Sequence, residues 1–242
     1  MKIGITEAGD AGLDLIWANK MNSVDGAILI TKHITDAFIA KALKFKNKVI
    51  IHATCTGMGG SIIEPNVPTY EEQLSQLRKL IFFGFPEEQV VVRIDPIVPT
   101  KKGLMTAQKV IDASPVKRIR FSVLDCYPHV RERFQMKNIP LPYGDNFQAP
   151  DEFFNNMKAW ITSQNPDVSF ECCAEPAFLN FEKVKCTGCV SEQDLKLLGL
   201  ELDKDYIQGA QRVGCMCLSC KTELLEHKKK CPHGCLYCYW KD

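Results

Sequence analysis

The residues with the clearest chemical potential are Cys231, Cys235 and Cys238, in the run Cys-Pro-His-Gly-Cys-Leu-Tyr-Cys. Their spacing is C-x3-C-x2-C, with the aromatic Tyr237 just before the last cysteine. Thiolates this close together suit zinc or iron–sulfur clusters. Three of them can hold three irons of a [4Fe–4S] cluster and leave the fourth iron open to a chelating substrate. Zinc would need a fourth ligand, and His233 or Cys220 could serve. The chain carries 12 cysteines, of which 10 lie between Cys172 and Cys238, while only Cys55 and Cys126 precede them. The opening MKIGITEAGD lacks a signal-peptide pattern, so a cytoplasmic protein is expected. In a reducing compartment, clustered thiols point to metal rather than to disulfides.

The elements that must position these thiols are legible upstream. Six short runs rich in Val, Ile or Phe read as buried strands, at 2–6, 26–31, 48–54, 89–95, 117–124 and 167–173. Helical patterns separate most of them, at 34–46, 69–83, 104–113 and 151–163, with a short one at 191–198. In the helix at 69–83, Thr69 and Glu72 form a capping box, and Gly84 and Pro86 mark the end. Segment 134–150, rich in Pro, Asn and Gly, reads as a loop. Alternating strand and helix predicts an α/β fold with a parallel sheet. Six units fit an incomplete (β/α)6 TIM-like barrel, with an open doubly wound sheet as the competing layout. The barrel core is placed at 1–171 and a cysteine-rich segment, packing on the barrel mouth, at 172–242. Apolar content of 45% and no apolar run of membrane-spanning length predict no membrane association. A net charge of +1 argues against a strongly electrostatic nucleic-acid binder.

The strands carry polar residues where parallel strands are usually apolar. Side chains alternate along a strand, so His52, Thr54 and Thr56 share one face. So do Arg93 with Asp95, Arg120 with Ser122, and Glu171 with Cys173 and Glu175. Such groups either satisfy one another or face a ligand. Four strands showing this together predict a polar mouth at the carboxyl ends, where barrels place their active sites. Glu175, Arg93, Asp95, Thr54 and His52 are its candidate cofactor-binding residues. Lys32, Glu7 and Asp10 stand at neighbouring strand ends.

The C-x3-C-x-aromatic-C motif resembles the signature of the radical S-adenosylmethionine (SAM) superfamily. That resemblance implies that Cys231, Cys235 and Cys238 hold a [4Fe–4S] cluster that binds SAM. It also implies reductive cleavage to a 5′-deoxyadenosyl radical, with Tyr237 packed near the adenine. In most members the motif follows the first barrel strand, whereas here it comes after all the strands. This order resembles an uncharacterised bacterial family of circularly permuted radical SAM-like proteins, distantly similar to spore photoproduct lyase. The shared stretches are Thr31-Lys32, Thr54-Cys55-Thr56-Gly57-Met58-Gly59, Glu64-Pro65-Asn66-Val67-Pro68 and Arg93-Ile94-Asp95-Pro96-Ile97. They continue with Ser122-Val123-Leu124-Asp125-Cys126-Tyr127, Cys173-Ala174-Glu175, Gln211-Arg212 and Cys215-Met216-Cys217. The start differs: Thr6-Glu7-Ala8-Gly9-Asp10 stands where that family tends to show an Arg-Arg-Thr-Asp-like sequence.

By the same resemblance Cys173, Cys189, Cys215 and Cys217 match the family pattern, which is enough thiolates for a second [4Fe–4S] cluster. A rival reading makes a zinc ribbon of Cys186-x2-Cys189 and Cys217-x2-Cys220. The resemblance implies a nucleobase or nucleic-acid substrate and a small electron donor such as flavodoxin or ferredoxin, which the run Lys228-Lys229-Lys230 could guide. The readings of a different class are a non-catalytic zinc-stabilised binding module and an iron–sulfur electron carrier.

Overall fold

The computed structural model describes residues 1–201, 215–226 and 231–240. Gln211, Arg212, Lys228, Lys229 and Lys230 lie outside them. Eight strands form one open sheet: β1 (Ile3–Ile5), β2 (Gly26–Thr31), β3 (Val49–Thr54), β4 (Val90–Ile97), β5 (Arg118–Val123), β6 (Ser169–Cys172), β7 (Val184–Cys186) and β8 (Lys221–Glu223). Their order is β7-β6-β5-β4-β3-β2-β1-β8, and every pair is parallel. The helices are α1 (Trp17–Lys20), α2 (Asp36–Lys44), α3 (Tyr70–Phe82), α4 (Lys101–Ala113), α5 (Pro128–Met136), α6 (Asp151–Thr162) and α7 (Glu192–Leu197).

The winding of the chain follows from where the helices bury their apolar stripes. Phe38 and Ala42 of α2, Leu74 and Leu77 of α3, Val110 of α4 and Met157 of α6 all enter one core. They meet Val49, Ile51, Val90, Val92, Ile119 and Phe121, the alternate residues of β3, β4 and β5. These helices therefore cover the same face of the sheet. A doubly wound sheet would divide them between both faces, so that alternative is not the observed one. Sequential strand order with helices on one side is compatible with a TIM-like fold.

The capping box at the start of α3 is present. Glu72 N–H donates to the Thr69 hydroxyl (3.3 Å), and Thr69 N–H donates to the Glu72 carboxylate (2.8 Å). Gly84, at φ +91°, follows the end of that helix. Two expectations need correction. Among the described residues the sheet has eight strands rather than six, because 184–186 and 221–223 add an edge strand on each side. The segment expected to loop from 134 begins as the last turn of α5, whose Val130 and Phe134 are buried.

The opposite face of the sheet carries the polar residues together with a smaller apolar layer. There Ile3, Ile28, Ile50 and Val91 pack against Val190, Leu195, Cys217 and Leu218. The segment around α7 thus covers the amino-terminal half of this face. A third cluster joins Leu124, Cys126, Val130 and Phe134 to Leu236 and Tyr237.

Candidate functional site

Residues 231–240 are fastened to loops at the carboxyl ends of the strands. Leu236 N–H donates to the Ile63 carbonyl (3.0 Å), and Asn66 donates through its side chain to the Pro232 carbonyl (2.7 Å). Arg133 of α5 donates to the carbonyls of Cys238 (2.6 Å) and Trp240 (2.7 Å). Inside the loop the His233 ring lies 2.7 Å from the buried Asp10 carboxylate. Asp10 also accepts from the Thr31 hydroxyl (2.6 Å) and from the N–H groups of Gly12 (2.8 Å) and Lys32 (2.7 Å). A buried carboxylate is tolerable only when fully paired in this way. Burial pulls its pKa upward, but His233, Thr31 and the Lys32 N–H together hold it below the ordinary value.

A second anchor centres on Glu64, in the loop after β3. Its carboxylate is fully buried and accepts from the Lys32 ammonium (2.9 Å), the Thr56 hydroxyl (2.8 Å) and the Tyr237 phenol. The Lys32 ammonium also reaches the Tyr237 oxygen (2.6 Å) and lies 5.2 Å from the centre of its ring. Burial raises the Glu64 pKa, yet Lys32 and the three hydrogen bonds outweigh it and keep the group ionised. Cys231, Cys235 and Cys238 stand within electrostatic reach of one another beside this network. Burial pushes the Cys235 thiol up to about 12, against the opposing pull of Lys32.

The second group of thiols lies on the polar face, deeper in the sheet. Cys173 Sγ is 4.0 Å from Cys189 Sγ, and Cys189 N–H donates to Cys217 Sγ (3.2 Å). Gly188 permits this approach, since a Cβ there would stand 2.4 Å from the Cys217 Cα. Cys215 is packed at the edge of the same cluster. Hydrogen bonding from Cys173 and Cys217 holds Cys189 well below the ordinary thiol value against burial, and Arg93 and Arg120 add to the effect. Beneath these thiols Arg118 and Arg120 pair with Glu171 (2.7 and 2.5 Å), and Arg118 also pairs with Asp194 of α7 (2.7 Å). Arg120 donates to the Gly188 carbonyl (3.0 Å), which ties the Cys189 turn to β5. Among the described residues, no three His, Cys, Asp or Glu side chains converge on one point.

Comparison with family profiles matches residues 16–240 to a family described as a domain of unknown function, DUF1848. The match spans nearly the whole chain. The protein belongs to the DUF1848 family. No curated protein and no solved structure matches it. No helix among the described residues is long and apolar enough to cross a membrane.

The expected site residues of this DUF1848 protein fall into two places. Tyr237 is in the Glu64–Lys32 anchor. Arg93 pairs with Asp95, and Asp95 also accepts from the Ser122 hydroxyl, so an ion pair within β4 is hydrogen-bonded across to β5. Glu175 accepts from Val123 N–H (2.6 Å). His52 is fully buried, 3.4 Å from Arg120 and 3.9 Å from Asp194, and burial with the nearby arginines drives it neutral. His233, considered above as a zinc ligand, is instead engaged by Asp10 and lies near the Asn66 carbonyl (3.2 Å). Cys186 stands 3.1 Å from Cys172 rather than with Cys189. Glu64 is the residue that sequence reasoning missed as a site member; its only signal was its place in a family-like stretch.

The donors are thiols, the ligands that iron–sulfur clusters take, but among the described residues they are not gathered on one point. Three thiols share one anchored turn, and on the polar face Thr54 Oγ1, Arg93 Nε and His52 Nδ1 are buried without a hydrogen-bond partner. Buried orphan groups beside thiols are what a bound anionic group would satisfy.

The Glu64 anchor leads to a pH prediction. A carboxyl whose folded pKa is lowered adds stability above its unfolded pKa, and loses it as pH falls through the folded value. Glu64→Gln should therefore cost about 1–3 kcal/mol at neutral pH. The gap from wild type should close as the solution is made more acid than the ordinary carboxylate range. Urea unfolding at several pH values checks this; a gap independent of pH would refute it.

Proposed function

We propose that this protein is a radical SAM enzyme, built on an incomplete and circularly permuted (β/α) barrel. In this reading Cys231, Cys235 and Cys238 bind a [4Fe–4S] cluster, and Cys173, Cys189, Cys215 and Cys217 bind a second. The observation that carries the reading is the double anchoring of the C-x3-C-x2-C loop, through His233–Asp10 and Tyr237–Glu64–Lys32. The loop so anchored carries three thiols, with no fourth cysteine beside them in the motif, near the carboxyl ends of the strands, and this supports the reading because barrel enzymes do their chemistry at those ends.

When bound, the cluster supplies an open iron and the electron for reductive cleavage of SAM to a 5′-deoxyadenosyl radical. The chain's own residues bind and orient. Lys32 and Glu64 fix the Tyr237 ring, so it offers a rigid face near the adenine. Arg93, Asp95, Thr54 and His52 line the polar face, and Glu175 stands at the end of β5 on the Val123 N–H; the orphaned Thr54 hydroxyl and Arg93 Nε are free to meet a ligand. Supporting the second cluster is the gathering of Cys173, Cys189 and Cys217, with Cys186 set apart. The resemblance to spore photoproduct lyase makes a nucleobase or nucleic acid the leading substrate class. A flavodoxin-like or ferredoxin-like protein is the electron source.

Anaerobically reconstituted protein should bind SAM and, with a strong reductant, release 5′-deoxyadenosine. Redox cycling without that product would identify an electron carrier instead. Iron-free protein with stoichiometric zinc and no cleavage would identify a zinc-stabilised binding module.

A further inference from the structure

Cys55, Cys126, Cys172, Cys186 and Cys220 have no place in either proposed cluster, and two of them face each other. Cys172 and Cys186 are direct partners across the parallel pair β6–β7, so their side chains leave the sheet on the same side. Their sulfurs are 3.1 Å apart. Neighbouring strands lie about 4.8 Å apart, inside the roughly 4.4–6.8 Å Cα separation that a disulfide accepts. Alternation sends Cys172 and Cys173 to opposite faces. Cys172 enters the helix-side core with Phe170 and Phe178, whereas Cys173 joins Cys189 and Cys217. The two thiols are also unequal. Cys172 is fully buried, but Cys186 is partly exposed at the edge strand β7.

We propose that Cys172 and Cys186 form a thiol–disulfide site, closed by a low-molecular-weight disulfide that enters at Cys186. The exchange balances in two steps. The Cys186 thiolate attacks one sulfur of the small disulfide, forming a mixed disulfide and releasing one thiol. The Cys172 thiolate then attacks Cys186 Sγ, closing the internal bond and releasing the second thiol. The pair loses two electrons and two protons, and the small disulfide gains them. Closure fastens the short edge strand β7 to β6. Thr187 N–H already donates to the Cys172 carbonyl (2.8 Å), so the bond would also hold the turn that leads to Cys189. This site does not depend on the radical SAM reading.

The test treats reconstituted holoprotein anaerobically with glutathione disulfide, followed by intact mass and peptide mapping. Wild type should lose two hydrogens, gain no adduct, and yield one cross-linked pair of peptides containing Cys172 and Cys186, reversed by dithiothreitol. Cys172→Ser should instead accumulate one glutathione adduct on Cys186. Cys186→Ser should take up none at Cys172. Iron content should be unchanged by oxidation and in the Cys172→Ser/Cys186→Ser double variant. A stable adduct on wild type, a link from Cys186 to Cys189, or no reaction would overturn the proposal. Loss of iron from the double variant would also overturn it, by making these residues cluster ligands.

Discussion

Replacing Cys231, Cys235 and Cys238 together with alanine is expected to abolish 5′-deoxyadenosine production and leave about half of the iron. Two four-iron clusters give about eight irons per chain, so removing one leaves about four. The two thiol groups are separate in the fold: one sits on the anchored loop at the strand ends, the other on the polar face against α7. The sheet should survive the change, because its main core is built from β2–β6 with α1–α4 and α6, apart from the cysteine loop. Iron analysis, circular dichroism and product assay read the three outcomes separately. Retention of zinc alone in the triple variant would defeat the second cluster. Retention of cleavage would defeat the first.

Arg120→Met is expected to be the most destabilising single change on the polar face. Arg120 is almost completely buried and contacts Glu171, Asp194, His52 and the Gly188 carbonyl. Its loss leaves Arg118 alone to balance two buried carboxylates. Breaking a buried ion network by removing one partner costs about 3–5 kcal/mol. Adding Glu171→Leu removes the excess negative charge, so the double variant should recover much of the loss, with the coupling measured as a double-mutant cycle. Urea unfolding that shows less than about 1 kcal/mol for the single change would mean the network is solvated rather than buried.

The parts of the fold that were legible are those whose signal is local. β2 to β4 each carry three consecutive Val, Ile or Leu residues, β5 alternates Ile, Phe and Val with polar residues, and α3 announces both ends through Thr69, Glu72 and Gly84. The shared polar face was also legible, because alternation alone sets it for His52, Arg93, Arg120 and Glu171. Strands β7 and β8 were not. Val-Lys-Cys and Lys-Thr-Glu are three-residue edges whose pairing is supplied by β6 and β1, not by their own hydrophobicity. Helix α5 opens with Pro128 and has few apolar residues, so its periodicity is weak. The Asp10–His233 and Glu64–Tyr237 contacts join residues 223 and 173 positions apart. No window of sequence contains both partners, and each was weighed without the other.

That separation has a consequence for biosynthesis. Asp10, Lys32 and Glu64 leave the ribosome long before Cys231, and β1 waits for β8 until residue 221 has been made. Chains fold from the amino end as they are synthesised, so the receiving surface exists before the loop that it receives. On the proposed reading, metal loading at Cys231–Cys238 would therefore follow the synthesis of every strand that receives the loop.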